Sequence, residues 1–285
     1  MIEFMPSIKE IRKYIFDELK SELGFEEGNA LVFILLEYIL KKEKAFLLAN
    51  PDIELTAEEY QFLENAVARL LRHEPVQYIL KEAVFLGRRF FVNPSVLIPR
   101  PETEELVLLA ARNCKGGERI LDIGSGSGVI GISLALEIKS SQVYCLDNEA
   151  AALQVTKKNS RDHGVMVHLI QSDILHETPE ISGVDLIISN PPYIPESEKS
   201  SIAKNVLNYE PRKALFVPDN NPLVFYSRIA ALRKKLLSPK GKIFVEINEG
   251  FGPQVVEIFT KAGFQEVQLF NDFNGKARIV NATFD

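Results

Sequence analysis

The sequence predicts an α/β fold in which a doubly wound sheet follows a small helical domain. From Arg119 onward, short apolar runs typical of strands alternate with helical patterns, whereas roughly the first 80 residues show helical patterns only. Such alternation is typical of parallel strands joined by right-handed helical crossovers. A glycine-rich segment between a strand and a helix further indicates a nucleotide-binding sheet.

The helical domain begins with a capping box formed by Ser7 and Glu10. Gly24 and Gly28 mark the end of this first helix, and a second helix is predicted near Ala30 to Lys42. The apolar face of the first helix follows from helical spacing of Ile8, Ile11, Ile15, Leu19 and Leu23.

A third helix is predicted after a second capping box, formed by Thr56 and Glu59. No constellation of catalytic residues is found in this part of the sequence, so it is interpreted either as a stabilising appendage or as a docking module. We place the boundaries at 1–80 for the helical domain, 81–98 for a linking β-hairpin and 99–285 for the sheet domain.

The linking segment combines a hairpin with a stiff connection. Val84 to Val92 has apolar flanks around a glycine, as in a hairpin. Pro94, Pro99 and Pro101 then favour extended backbone, because each fixes its own φ and restricts the preceding residue. Pro101 fits the first turn of a helix, whose dipole favours the acidic side chains Glu102, Glu104 and Glu105.

The predicted strands of the sheet fall into a parallel set and a closing hairpin. The hairpin turns at Asn271 to Gly275, and its strands make the end of the sheet antiparallel. In chain order the strands are Arg119–Ile123, Gln142–Asp147, Met166–Ile170, Val184–Ser189, Lys242–Ile247, Gln265–Phe270 and Ala277–Phe284.

Composition narrows the class of protein. The net charge of -6 and pI of about 5.5 argue against nucleic acid as the main partner. The two cysteines form no CxxC pair and the four histidines have no metal-ligand spacing, so no disulfide and no metal site is expected. Met1–Lys9 lacks the features of a signal peptide, and the apolar run Leu31–Leu40 is too short to span a membrane. We expect a cytoplasmic protein.

A glycine loop ends the first strand of the sheet. Glycines allow a sharp turn and close approach to a ligand. Asp147 ends the next strand, where a carboxylate can accept hydrogen bonds from both ribose hydroxyls. The loop predicted to bind the nucleotide consists of Gly124, Ser125, Gly126, Ser127 and Gly128.

The residues around this loop favour S-adenosylmethionine over NAD. Asp122, just before the loop, would repel a pyrophosphate but could help to hold the cationic methionine end. Asp173, after the third strand, is placed to meet the adenine amino group, and Ile174 to pack on the ring. The alternative for Asp173 is a helix N-cap.

A tetrapeptide suited to methylation of a planar NH2 nitrogen follows a buried strand. The Asn190 side-chain oxygen and the Pro191 carbonyl can accept the two N–H hydrogens and stabilise positive charge growing on the nitrogen. Pro192 stiffens the backbone, and Tyr193 can stack on the flat substrate. The alternative is a proline-rich turn without function.

Several of these segments together resemble the HemK/PrmC family of release factor glutamine methyltransferases. The segments are Gly87–Leu106, Asp122–Gly128, Asp147–Asn159, Ser172–Asp173, Ser189–Pro195 and Tyr209–Leu215. The resemblance implies a seven-stranded, Rossmann-like class I methyltransferase sheet with an N-terminal helical bundle. It implies S-adenosylmethionine as cofactor, S-adenosylhomocysteine as product, and the glutamine of the Gly-Gly-Gln motif in class I peptide chain release factors as substrate.

The resemblance also implies roles for particular residues. Gly124–Gly128, Asp147 and Asn190 would bind the cofactor, and Asn190–Tyr193 the glutamine. The helical domain would help to hold the release factor. Two positions depart from the family, since Ile174 stands where an aromatic residue is common and Pro218–Pro222 replaces a glycine-rich turn.

Some alternatives stay open. Arg100 and Glu102 would either line the pocket and contact substrate or pair with each other on a surface helix. The same tetrapeptide would suit glutamine methylation of a ribosomal protein or methylation of an adenine amino group. A catalytically silent binding protein is a further alternative. We expect a monomer without a membrane partner and without a required nucleic-acid partner.

Overall fold

The computed structural model describes residues 6–284, apart from the side chains of Ser21 and Leu23. Met1–Met5, part of the segment in which no signal peptide is predicted, lie outside the described residues. The chain divides into two compact units. One comprises the residues up to Lys81 together with Lys204–Tyr209, and the other comprises Glu82–Ala203 and the residues from Glu210 onward.

The first unit is helical and has its own apolar core. Both predicted capping boxes are confirmed: the Ser7 N–H donates to Glu10 Oε2 over 2.9 Å, and the Thr56 N–H donates to Glu59 Oε2 over 2.8 Å. Its helices are α1 (Ile8–Leu23), α2 (Phe25–Leu40), α3 (Lys44–Ala49), α4 (Ala57–Leu70), α5 (Val76–Leu80) and α9 (Lys204–Tyr209).

Two features of this unit differ from the sequence predictions. Gly28 does not end the first helix but lies inside α2, where the lack of a side chain lets the backbone pack closely against Leu19 of α1. Helix α9, remote in sequence, belongs to this unit, and the Tyr209 hydroxyl donates to the Arg72 carbonyl oxygen over 2.8 Å. This long-range contact has no signal in local periodicity.

The second unit is built on a seven-stranded sheet, as predicted. The predicted hairpin near Val84–Val92 is also confirmed as β1 (Glu82–Phe85) and β2 (Arg88–Phe91). The sheet has the order β10-β11-β9-β6-β3-β4-β5. Its strands are β3 (Arg119–Ile123), β4 (Gln142–Asp147), β5 (Val167–Gln171), β6 (Val184–Ser189), β9 (Leu237–Glu246), β10 (Phe264–Asn271) and β11 (Ala277–Phe284).

Strands β9, β6, β3, β4 and β5 are parallel to one another, whereas β11 is antiparallel to both of its neighbours. Strand β9 begins earlier than predicted, because Pro239 and Gly241 interrupt the apolar pattern over its first residues. A short parallel pair, β7 (Ile194–Pro195) and β8 (Phe216–Val217), was not predicted. Each of these strands has two residues, which is too few for a periodic pattern in the sequence.

Helices cover both faces of the sheet. Alternate residues of β3 point to opposite faces, so Ile120 packs in one apolar core and Leu121 in the other. Pro101 occupies the first turn of α6, as predicted. The helices of this unit are α6 (Pro101–Arg112), α7 (Val129–Glu137), α8 (Ala150–Asp162), α10 (Val224–Leu236) and α11 (Gly252–Lys261).

The parallel register brings the carboxyl ends of the central strands together. Ile123 of β3 is paired with both Leu146 of β4 and Ser189 of β6, and Ser189 is paired in turn with Val245 of β9. The segments that follow these strands therefore meet at one edge of the sheet, the usual place for ligands in this fold class.

Within residues 6–284, no helix is both long and apolar enough to cross a bilayer. The same residues contain no group of three or more histidine, cysteine or acidic side chains placed to hold a metal ion.

Candidate active site

A cavity of about 380 Å³ lies at this edge of the sheet, in the size range of small-molecule sites. It is formed by the second unit alone. Predicted site residues that line it are Arg100, Gly124, Ser125, Gly126, Ser127, Asp147, Asp173, Ile174, Asn190, Pro191 and Pro192. Four other predicted residues do not line it, namely Glu102, Asp122, Gly128 and Tyr193.

The glycine loop depends on backbone conformations that favour glycine. Gly124, Gly126 and Gly128 have φ values of 75°, 54° and 79°. At Gly128 a Cβ atom would lie 2.7 Å from Thr156 Cγ2, so α8 leaves no room for a side chain. Gly128 therefore shapes the loop without lining the cavity.

Two polar side chains of helix α8 form hydrogen bonds with the glycine loop. The Thr156 hydroxyl donates to the Gly126 carbonyl oxygen over 2.9 Å. The Asn159 amide donates to the Ser127 carbonyl oxygen over 2.8 Å. Thr156 and Asn159 are both buried, and polar residues on the inner face of a helix are the signal by which sequence reasoning could have assigned them this role.

Asp147 lines the cavity, and two backbone N–H groups hold its carboxylate. Its Oδ2 accepts the Gly126 N–H over 2.8 Å, and its Oδ1 accepts the Glu149 N–H over 2.9 Å. Burial raises the pKa of Asp147, although these backbone hydrogen bonds oppose the rise. Each carboxylate oxygen keeps a further lone pair, so the side chain can still accept hydrogens from two ribose hydroxyls in the cavity.

Asp122, predicted to contact the methionine end of the cofactor, does not line the cavity. Its side chain is fully buried, lies outside the cavity lining, and accepts the Gly131 N–H of α7 over 3.0 Å. The predicted contact has no support in the cavity, because alternation along β3 turns this residue toward α7. Burial raises the pKa of Asp122 to about 7, the Gly131 N–H opposes the rise, and the Asp147 carboxylate adds to it.

Replacing Asp122 by asparagine is expected to stabilise the protein at alkaline pH. Between the ordinary aspartate pKa of 3.8 and about 7, the folded protein holds a proton that the unfolded chain releases, so wild-type stability falls as the pH rises through this range. Asparagine removes this dependence. We expect the free energy of unfolding to rise by about 1–3 kcal/mol more near pH 8 than near pH 5, where most of the wild-type loss has yet to occur.

Urea titrations of both proteins at the two pH values would measure this difference. A difference between variant and wild type that is equal at both pH values would contradict the assignment of a raised pKa to Asp122.

Asp173 and Ile174, which were predicted to meet the adenine, both line the cavity. Asp173 Oδ1 accepts the Leu175 N–H over 2.9 Å within a turn. No helix lies between Asp173 and β6, so the predicted alternative of a helix N-cap is wrong. Ile174 is buried, and Arg228 Nε holds its carbonyl oxygen over 2.8 Å. An apolar surface fixed in this way can pack on a flat ring.

The tetrapeptide begins directly after β6. The Ser189 hydroxyl donates to the Ile123 carbonyl oxygen over 2.7 Å and joins the ends of β6 and β3. Asn190 Nδ2 donates to the Thr103 hydroxyl oxygen over 3.0 Å. The Tyr193 hydroxyl donates to Glu246 over 3.1 Å, with its ring against the core. The stacking of Tyr193 on substrate stays a prediction.

Arg100 does not pair with Glu102, the alternative that the sequence left open. Its guanidinium lies 2.6 Å from Glu210, whose side chain is 1% exposed and also accepts the Ile98 N–H over 3.0 Å. This buried carboxylate ties the proline-rich connection to the segment after the tetrapeptide. Glu102 lies outside the cavity lining, so its predicted contact with substrate has no support in the cavity.

Sequence reasoning missed three side chains that contact predicted site residues, Thr103, Glu210 and Glu246. Glu246 ends the apolar strand β9 and is 1% exposed. An acidic residue within a strongly apolar strand is unusual and is the signal that could have identified it. The Thr103 and Glu210 contacts join residues far apart in sequence and become visible only in three dimensions.

Two family models match parts of the chain, the methyltransferase small domain over residues 104–215 and the PrmC N-terminal domain over residues 10–80. Among solved structures, a methyltransferase from Pyrococcus furiosus superimposes with a TM-score of 0.53 at 20% identity, covering 78% of this chain and 98% of that one. This likeness shows the fold.

Two relatives match almost end to end. The release factor glutamine methyltransferase of Bacteroides thetaiotaomicron is 40% identical over 274 residues, which cover 95% of this chain and 98% of that one. The protein of the same name from Flavobacterium psychrophilum is 38% identical over 282 residues, covering 97% and 99%. With this identity across both units, the chain belongs to the release factor glutamine methyltransferase family.

Proposed function

We propose that the chain transfers a methyl group from S-adenosylmethionine to the side-chain amide nitrogen of the glutamine in the Gly-Gly-Gln motif of class I release factors. One observation supports this most directly. Asn190 and Pro191, which can accept both hydrogens of an amide NH2, line the same cavity as Asp147 and the glycine loop. The family membership supports the choice of glutamine.

The cavity has the chemistry required for S-adenosylmethionine. Asp147 has free lone pairs for the ribose, Ile174 presents an apolar surface for the adenine, and the glycine loop allows close approach of the ligand. Bound S-adenosylmethionine supplies a methyl group on a positively charged sulfur, and S-adenosylhomocysteine is the product.

The residues of the tetrapeptide would hold the acceptor nitrogen. Its lone pair is delocalised into the amide, so the nitrogen is a weak nucleophile. The Asn190 Oδ1 and Pro191 carbonyl oxygens would accept its two hydrogens and stabilise the positive charge that develops as the N–C bond forms. Pro192 limits backbone movement, so little reorganisation is needed. One N–H proton is also lost to solvent water, so that the product is a neutral N-methyl amide.

Two related activities would use the same cavity chemistry, methylation of a ribosomal-protein glutamine and methylation of an adenine amino group. The net charge of -6 disfavours the second, because an enzyme acting on a duplex needs phosphate contacts and must extrude its base. We propose that the enzyme acts as a monomer. A substrate in translation would place the enzyme in the cytoplasm.

A methyl-labelling assay with separate candidate substrates distinguishes these activities. The protein is incubated with S-adenosylmethionine carrying a labelled methyl group and with a release factor, ribosomal proteins and DNA in separate reactions. We expect label in the release factor only. Label confined to ribosomal proteins or DNA would overturn the proposed substrate while preserving methyl transfer to nitrogen.

We also propose that the helical unit helps to hold the release factor. Its surface has a hollow of about 360 Å³ lined by the basic side chains Lys9, Arg12 and Lys13 and by Phe16 and Phe25. Phe25 is 71% exposed. Exposed aromatic and basic side chains are enriched in protein interfaces.

Replacing Phe25 by alanine is expected to raise KM for an intact release factor at least about fivefold, equivalent to about 1 kcal/mol of lost binding. KM for a short Gly-Gly-Gln peptide should not change, because a short peptide occupies the cavity alone. Steady-state kinetics with both substrates measures the difference. Equal changes in the two KM values would remove the docking role of Phe25.

A further inference from the structure

A buried carboxylate lies behind the tetrapeptide. Glu246 ends β9, is 1% exposed, and does not line the cavity. Its Oε2 accepts the Thr103 hydroxyl over 2.6 Å, and its Oε1 accepts the Tyr193 hydroxyl over 3.1 Å. Thr103 in turn accepts Asn190 Nδ2 over 3.0 Å. Two side chains that line the cavity, Thr103 and Asn190, thus connect Glu246 to it.

The hydrogen-bond chain has a direction set by the number of available hydrogens. An ionised carboxylate only accepts, whereas a threonine hydroxyl has a single hydrogen. The Thr103 hydrogen is committed to Glu246, so only lone pairs face Asn190 and only the Asn190 NH2 group can meet them. The opposite Asn190 rotamer would leave Glu246 Oε2 buried without a partner, at a substantial energetic cost.

We propose that Glu246, acting through Thr103, is a positioning residue that fixes the orientation of the Asn190 side-chain amide. With Nδ2 held by Thr103, the Oδ1 atom is the one left to accept a hydrogen from the substrate nitrogen. This role rests on the proposed function. If the methyl group is transferred to an NH2 nitrogen, Asn190 must present its oxygen, and not its NH2 group, to the hydrogens of that nitrogen. Tyr193, bound to the other Glu246 oxygen, is held by the same carboxylate.

The arrangement also predicts a dependence on pH. A protonated Glu246 could donate to Thr103, whose own hydrogen would then be free to point at Asn190 and favour the opposite amide orientation. Activity therefore requires the ionised form and is lost as the pH falls. Burial raises the pKa of Glu246, and the hydrogen bonds from Thr103 and Tyr193 oppose the rise. The other charged or titratable groups that act on it are Arg278 and Glu102, with Tyr226 bound to its backbone oxygen.

The test compares Thr103→Val, which keeps the shape but removes the hydroxyl, with Thr103→Ser, which keeps the hydroxyl. At saturating S-adenosylmethionine and with a Gly-Gly-Gln peptide, we expect Thr103→Val to lower kcat about 10²-fold, as for loss of one preorganised catalytic hydrogen bond. Thr103→Ser should stay within about threefold of wild type. The Kd for S-adenosylmethionine, measured calorimetrically, should change less than about twofold in both.

A second variant keeps the proposal testable if Thr103→Val does not fold. Glu246→Gln cannot ionise, so the acid limb of the wild-type kcat profile should be absent. If the fall in kcat at low pH were due to protonation of Asp122, it would persist in Glu246→Gln. A fall due to protonation of Asp147 would act through cofactor binding, and saturating S-adenosylmethionine suppresses it.

Wild-type kcat in a folded Thr103→Val protein, or an acid limb retained in Glu246→Gln, would overturn the proposed role of Glu246. Failure of the proposed function is a different result, in which the wild-type enzyme itself does not methylate the glutamine.

Discussion

Replacing Asn190 by alanine is expected to lower kcat by about 10²–10³-fold, the usual cost of removing one preorganised group that stabilises developing charge. The Asn190 oxygen would accept one of the two hydrogens on the acceptor nitrogen, and water in the vacated space is not held in the same position. The loss should appear in single-turnover methyl transfer, where product release does not contribute.

The fold and the cofactor pocket should survive this change. Asp147 and the glycine loop are held by backbone hydrogen bonds and by α8, none of which involve Asn190. We expect the calorimetric Kd for S-adenosylmethionine to change less than about tenfold. Unchanged turnover would contradict the mechanism, whereas loss of cofactor binding would show that Asn190 has a different role.

Replacing Gly128 by alanine is expected to lower the free energy of unfolding by about 2–4 kcal/mol and to weaken S-adenosylmethionine binding more than about tenfold. Two costs add together. A φ of 79° is unfavourable for any residue with a Cβ atom, and that atom would lie 2.7 Å from Thr156 Cγ2. Moving Thr156 would also disturb its hydrogen bond to Gly126 in the loop. Urea unfolding and calorimetry measure the two effects.

A second change separates the steric cost from the backbone strain. Thr156→Ser removes the Cγ2 atom but keeps the hydroxyl that holds the loop, so it should recover part of the stability lost in Gly128→Ala. Gly124→Ala is the matched control, because Gly124 has a φ of 75° but nothing lies within 4 Å of its Cβ position. If Gly124→Ala and Gly128→Ala lose equal stability, packing against Thr156 is not the reason for glycine at this position.

Local chemistry explains which parts of the fold could be predicted from the sequence. Central strands such as Val184–Ser189 are continuous apolar runs because both faces of the sheet are covered, and their bounds follow directly from composition. The Ser7 capping box is likewise local, since Glu10 is only one helical turn away. Much of the cavity lining was predictable in the same way, because Gly124–Ser127 and Asn190 directly follow strands.

What the sequence did not reveal depends on contacts between distant residues. Helix α9 joins the helical unit although more than a hundred residues separate Tyr209 from Arg72. Thr103 and Glu246 meet only because α6 packs against the end of β9. The orientation of Asp122 was missed for a different reason: its position before the glycine loop suggested the cavity, but strand alternation turns its side chain toward α7.

The most direct test of the central claim is to locate the methyl group on the substrate. A class I release factor and its Gly-Gly-Gln to Gly-Gly-Ala variant are incubated with the enzyme and labelled S-adenosylmethionine, digested, and examined by mass spectrometry. The proposed function predicts label on the side-chain nitrogen of that glutamine and none on the variant. Label elsewhere on the release factor, or equal label on both proteins, would contradict it.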